Sequence, residues 1–190
     1  MNKRVGLVGE DPNDTSSVKN LLLQRFDKNI SYIQLLNNIR GHQLDNARTK
    51  HSLQIECKIK QPDIIIFIRD ADGICTHENA IQKCNSWHTN LSGVVKTKNI
   101  LLLNIYELEV LIFADIEVFN KKYNTSIKDN RDVTFIKEPK EELKRKTSKL
   151  NKKYFESDCP ELFKLLRIDN VIKNCSYFRE FITKFSELVS

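Results

Sequence analysis

Apolar residues fall along this chain in two rhythms. In "DIIIFIRD" five of them, Ile64 to Ile68, follow one another and stop at Arg69 and Asp70. So short and dense a run, rich in β-branched residues, predicts a strand covered on both faces. "RVGLVGE" and "NILLLNI" share that texture and predict strands from residue 4 to 8 and over 99–105; "NISYIQLLNNI" predicts another over 29–39. The second rhythm is helical. Val18, Leu21, Leu22 and Phe26 share one face of "DTSSVKNLLLQRF", with Asp14, Thr15 or Ser16 available as caps. "GHQLDNARTKHSLQIECKIK" starts as a glycine loop and becomes a helix. "HENAIQKCNSWHTNLS" reads as a helix, and "YELEVLIFADIEVFNKKY" as one strong helix. Strand and helix alternate through Tyr123, which predicts an α/β, Rossmann-like fold: a mostly parallel sheet flanked by helices. Beyond it comes a polar loop, then charged helical segments, "KEELKRKTSKLNKKYF", "CPELFKLLRIDNVIKN" and "SYFREFITKFSELV". The expected layout is an α/β domain over residues 1–125 and a helical carboxyl-terminal extension over 126–190, packed on it as one unit.

Composition narrows the class. The chain has 190 residues, 40% of them hydrophobic, with 5 Gly and 4 Pro, which describes a globular protein. No apolar run approaches the roughly 20 residues of a membrane span. "MNKRVGLVGED" lacks the apolar length of a signal peptide, so a cytoplasmic protein with no membrane role is expected. Cys57, Cys75, Cys84, Cys159 and Cys175 form no CxxC pair and no disulfide framework. The net charge of +6 leans toward a polyanionic partner.

The chemistry gathers at strand ends. Glu10 closes the first strand, with Asp14 four residues on. Asp70 and Asp72 close "DIIIFIRD", with Gly73 to turn the chain, and Glu107 and Glu109 follow "NILLLNI". Ligands of open α/β sheets sit outside the carboxyl ends of the strands, so these acids can converge. Like charges that close call for a cation. Hard oxygen donors suit Mg²⁺ or Mn²⁺. Solvated loop acids or helix caps are the plainer explanation for any one of them.

"VGEDPND", "IRDADG" and the glutamate after a third strand resemble the TOPRIM domain of topoisomerases, primases and OLD-family nucleases, in particular its small nuclease-like branch. "ELEVLIFAD" is similar to a further motif of that branch, with Glu109 and Asp115 in the matching places. Asp11 stands where the pattern has glycine. The resemblance implies a metal-dependent nuclease cutting phosphodiester bonds in DNA or RNA. It makes Glu10 a general acid or base and metal ligand, Asp70 and Asp72 the Mg²⁺-binding catalytic pair, and Asp14 and Glu109 supporting ligands. The helical tail resembles small standalone TOPRIM proteins of bacterial anti-phage defence loci, which implies an ABC/OLD-like ATPase partner and leaves room for a homo-oligomer. The alternative is a non-catalytic TOPRIM-like module that binds nucleic acid or docks onto the ATPase.

Three further signals add to this. Residues 137–153 hold eight Lys or Arg against three Glu. On one helix Lys146, Lys149 and Lys153 would share a face, with Lys144 and Arg145 close by; such a stripe attracts phosphate backbones without reading sequence. Arg69, beside Asp70, could add a phosphate contact. Cys75, His77, Cys84 and His88 could hold a structural zinc, although their spacing is not that of paired knuckles. Trp87 is core packing or a base-stacking ring. No Walker loop, GxGxxG or GxSxG is present, which argues against ATP hydrolysis, a nicotinamide cofactor and a serine-hydrolase elbow. An aspartate after a strand also marks phosphotransfer receivers, but the DxD pair and the long tail fit one poorly.

Overall fold

The computed structural model describes residues 2–37, 43, 44, 46–74 and 76–190. Four strands, β1 (Lys3–Val8), β2 (Ile30–Gln34), β3 (Ile64–Asp70) and β4 (Lys98–Asn104), form one all-parallel sheet in the order β2-β1-β3-β4. Helices α1 (Pro12–Leu22), α2 (Ala47–Lys60) and α3 (Glu78–Ser92) connect them. After β4 come α4 (Val110–Phe113), α5 (Ile116–Tyr123), α6 (Pro139–Thr147), α7 (Cys159–Leu165), α8 (Ile168–Asn174) and α9 (Ser176–Val189). The protein is α/β and Rossmann-like, with helices over both sheet faces.

The unbroken apolar run of β3 is explained by its two covers. Strand side chains alternate faces. Ile64, Ile66 and Ile68 join Val5, Leu7 and Leu102 in a core closed by α1 and by the helices after β4. Ile65 and Phe67 turn to the other face, toward Leu53 of α2 and Trp87 and Leu91 of α3. The carboxyl-terminal helices are part of the first core. Phe178, Phe181, Ile182 and Phe185 of α9 belong to the same apolar cluster as Val5 and Ile66.

Several boundaries differ from the sequence expectation. The cap of α1 is Asp11, not a residue from 14 to 16: its carboxylate accepts from Asn13 N–H at 2.8 Å, and Asp14 returns the favour to Asp11 N–H at 3.1 Å. Pro12 then takes the first helical position, where a missing N–H costs nothing. The expected helix over 106–123 is broken at Ala114 and Asp115. Asn174 Nδ2 donates to the Ala114 carbonyl at 2.8 Å, and Arg167 N–H to the Asp115 carboxylate at 2.8 Å. The helix expected over 159–174 is split between α7 and α8 by Gln24, which donates to Leu166 O and accepts from Ile168 N–H. Each break is fixed by partners some 50 to 145 residues away in sequence, which local periodicity cannot register.

Candidate functional site

From β1 the chain runs to β2 on one side, then crosses to β3 on the other. The switch point therefore lies at the carboxyl ends of β1 and β3, where open sheets hold ligands. Here a cleft of about 300 Å³ is lined by Glu10, Asp11, Asp14, Asp70, Asp72, Glu107, Glu109 and Glu156, with Asn13, Lys140 and Cys159. All five carboxylates expected to share a metal line this one cleft.

Each is delivered by a local device. Glu10 and Asp11 form the turn out of β1. Asp11 is extended (φ −136°), so the position needs no glycine and the α1 capping box sets its geometry. Asp70 ends β3 opposite Asn104 of β4, whose Nδ2 donates to Asp70 Oδ1 at 2.9 Å. The turn after β3 is made by Asp72, in the left-handed region at φ 52°, rather than by Gly73. At Gly73 the absent side chain leaves room for His77, whose Nδ1 lies 2.7 Å from where a Cβ would stand. The loops after β3 and β4 are tied together: Asp72 N–H donates to Tyr106 O at 3.0 Å and Tyr106 N–H to Gly73 O at 2.9 Å. Glu109, 7% exposed, accepts from the buried Tyr154 hydroxyl at 3.2 Å, which also meets Cys159 Sγ at 3.0 Å.

The electrostatics are those of crowded acids. Burial, then the charges of Glu109, Asp11 and Glu10, push Asp14 up to about 7 against the lowering hydrogen bond from Asp11. Burial and the Asp14 charge lift the partly buried Asp70 well above the carboxylate range, and burial lifts Glu109. Two cations answer them. Arg69 Nε pairs with Glu10 at 3.0 Å, its guanidinium lying 4.7 Å from the centre of the Trp87 ring. Lys140 Nζ lies 3.3 Å from Glu107 and 3.9 Å from Glu156. Burial works against the Lys140 charge, but Glu107, Glu109 and Glu156 outweigh it and hold the ammonium protonated. Burial and the Glu109 charge push the Cys159 thiol up.

All the acidic donors are hard oxygens, the set that suits Mg²⁺ or Mn²⁺, and a divalent ion would relieve their repulsion. Among the described residues, no group of three His, Cys, Asp or Glu side chains is arranged to hold an ion as it stands. Loading therefore calls for rotation of carboxylates now held by Arg69, Lys140 and Asn104.

The remaining candidates separate from the cleft. Asp115, 3% exposed, is a structural anchor: it accepts from Arg167 and Asn170. Burial alone would raise its pKa, but those hydrogen bonds hold it below the usual range. The basic stripe is not one helical face. α6 stops at Thr147, whose Oγ1 back-bonds to Leu143 O and receives Tyr154 N–H, because Tyr154 must dive into the core. Arg145 and Lys146 are exposed on α6, while Lys149 and Lys153 lie exposed beyond its end. Lys144 is held by Glu141 and Glu156 at 2.9 and 2.8 Å. Arg69, only 10% exposed, is drawn inward to its partner Glu10. Of the zinc candidates, Cys75 lies outside the described residues. Cys84 Sγ is directed to Asp70 O at 3.5 Å and His88 Nε2 to Asn99 at 2.9 Å. Trp87, 7% exposed, is core packing.

Lys140, Glu156, Tyr154, Cys159 and Asn104 are cleft or supporting residues that sequence reasoning missed. The first four come from segments distant in sequence, and only the Lys and Glu surplus around α6 hinted at them.

One family matches residues 9–186, from the turn after β1 to near the end of α9. The chain belongs to that family, DUF4276, a domain of unknown function. The DUF4276 match thus takes in both the carboxylate cleft and the carboxyl-terminal helices. No curated protein and no solved structure matches the chain. Among the described residues, no helix is long and apolar enough to cross a membrane.

Proposed function

We propose that this DUF4276 protein is a Mg²⁺- or Mn²⁺-dependent nuclease of the TOPRIM type, cleaving phosphodiester bonds in DNA or RNA. The observation that carries the proposal is the meeting of Glu10, Asp14, Asp70, Asp72 and Glu109 in one cleft at the β1/β3 switch point. When bound, the metal would activate water and stabilise the leaving oxygen. Asp70, Asp72 and Glu10 would hold it, with Asp14 and Glu109 behind them. The chain's own groups do the rest. Glu10, a partly exposed lining residue paired with Arg69, would take or give a proton. Lys140, in the cleft wall beside Glu107 and Glu156, would offset the charge of a phosphate approaching the acids. Tyr154 and Asn104 hold Glu109 and Asp70 in place. Action as the effector of an anti-phage system with an ABC/OLD-like ATPase rests on the tail's likeness to standalone TOPRIM proteins.

A non-catalytic nucleic-acid-binding or ATPase-docking module is the alternative. It is favoured by one observation: Glu10 and Glu107 are already paired to cations, and no described trio of donors stands ready for an ion. The purified protein, alone and with its ATPase, is incubated with plasmid, single-stranded DNA and structured RNA in Mg²⁺ or Mn²⁺. Cutting that disappears in Glu10→Ala and Asp70→Ala supports the enzyme. Metal uptake without cutting in any combination supports the module.

A further inference from the structure

The sheet ends in a bare strand. In the order β2-β1-β3-β4, β4 pairs with β3 on one side and, among the described residues, with no strand on the other. Its ladder to β3 runs from Lys98 to Asn104 without a bulge. Asn104 turns its carbonyl to β3, where it accepts from Ala71 N–H at 2.9 Å. Backbone groups alternate sides along a strand, so those of Asn99, Leu101 and Leu103 point away from the sheet. Among the described residues, no backbone hydrogen bond is formed to these outward groups. A groove of about 460 Å³ follows this edge, lined by residues 99 to 103 together with His88 of α3 and Glu180 and Lys184 of α9. Open strand edges are templates for another strand, and proteins ordinarily blunt them with proline, a bulge or charged side chains. From Asn99 to Asn104, β4 has none of these.

The edge matches itself. Set antiparallel about a two-fold axis at Leu101, two β4 strands would exchange about six hydrogen bonds, Leu101 with Leu101 and Asn99 with Leu103. Residues opposite one another share a sheet face, so Ile100 would lie against Leu102, apolar on apolar. The same axis reverses α9 against its mate and would bring Glu180 of one copy toward Lys184 of the other. Both are exposed, and neither enters an ion pair among the described residues. A flexible peptide would have to be ordered before it could pair, whereas a second copy brings the matching strand already fixed. We propose that the open edge of β4 docks a second copy of this chain, giving a two-fold dimer with one continuous sheet. Because the paired strands run in opposite directions, the two acidic clefts open at opposite ends of that sheet. The inference stands independently of the nuclease reading.

The test follows the full chain by light scattering and by deuterium exchange over a dilution series. The expected mass is twice the 22.2 kDa of one chain, with the Leu101 and Leu103 amides protected in the dimer and exposed on dilution. Glu180→Lys and Lys184→Glu each set like charges opposite each other and should weaken the dimer about tenfold. Mixed in equal amounts, the two variants should form a heterodimer as tight as wild type, since opposite charges then meet at both contacts. A role confined to one chain gives no such rescue. Leu101→Pro removes an N–H that the sheet does not use, places a ring on the edge, and should leave a monomer. Both charge variants change exposed side chains, so their result stands even if the proline variant folds poorly. A monomeric wild-type chain would overturn the inference, including one whose Leu101 and Leu103 amides become protected only when the ATPase is added, which would give the edge to that partner. So would a dimer that survives both charge reversals, or a folded Leu101→Pro, unchanged, since it would lie on another face.

Discussion

Asp14→Asn should make the metal-free protein more stable, and by an amount that depends on pH. The folded protein holds the Asp14 proton up to about pH 7, whereas the unfolded chain releases it from about 3.8. Across that window the unfolded state binds fewer protons, so stability is lost as pH rises. At about 1.4 kcal/mol per pKa unit, the roughly three-unit shift amounts to about 4 kcal/mol near pH 8, falling to about 1 near pH 4.5. Asparagine removes the charge and keeps an oxygen to accept from Asp11 N–H, so the α1 cap survives. Losing the favourable charge in the first helical turn returns about 0.3–1 kcal/mol. Partial exposure of Asp14 screens the rest, which leaves a net gain of about 2–3 kcal/mol at about pH 8. For a chain of this size that is a rise in melting temperature of about 5–10 °C near pH 8, narrowing to about 1–3 °C near pH 4.5. Thermal unfolding of both proteins in EDTA over this pH range reads it directly. A variant that melts no higher than wild type near pH 8, or a gap that does not narrow on acidification, refutes the picture of mutually repelling acids.

Three further outcomes follow from the same geometry. Because carboxylates must shed protons to bind an ion, Mg²⁺ or Mn²⁺ should raise the melting temperature more at about pH 8 than at about pH 6, and Asp70→Asn should abolish the effect; an equal rise in that variant would place the ion elsewhere. Arg167→Met leaves the buried Asp115 carboxylate without its main partner and should cost about 2–3 kcal/mol near neutral pH, discounted because the arginine is half exposed. Asp115 has a lowered folded pKa, so the stability it contributes is present above about pH 4 and lost on acidification, and urea titrations should show the Arg167→Met deficit shrinking there. Tyr154→Phe removes the hydroxyl that serves Glu109 and should cost about 1–2 kcal/mol in urea unfolding, with β-sheet circular dichroism unchanged.

The strands were legible because their patterns are local. "DIIIFIRD" announces a strand covered on both faces whatever lies around it, and Glu10, Asp70 and Asp72 stand at strand ends by simple position. Alternation of strand and helix fixed the α/β class, and parallel strands needed helical crossovers between them. The strand order β2-β1-β3-β4 was not legible, since nothing local says which side of β1 the chain will choose; that choice is what brings Glu10 beside Asp70. Nor could the sequence announce the breaks at Asp115 and Leu166, made by Arg167, Asn174 and Gln24 from across the fold. The basic run shows the limit most plainly. Its charges are written in the sequence, but Tyr154 turning inward ends α6 at Thr147, scatters the lysines beyond it, and leaves Lys140 to face the acids. Charge and periodicity belong to the chain; which charges meet is decided by long-range packing, where a buried tyrosine outweighs the propensity of the residues around it.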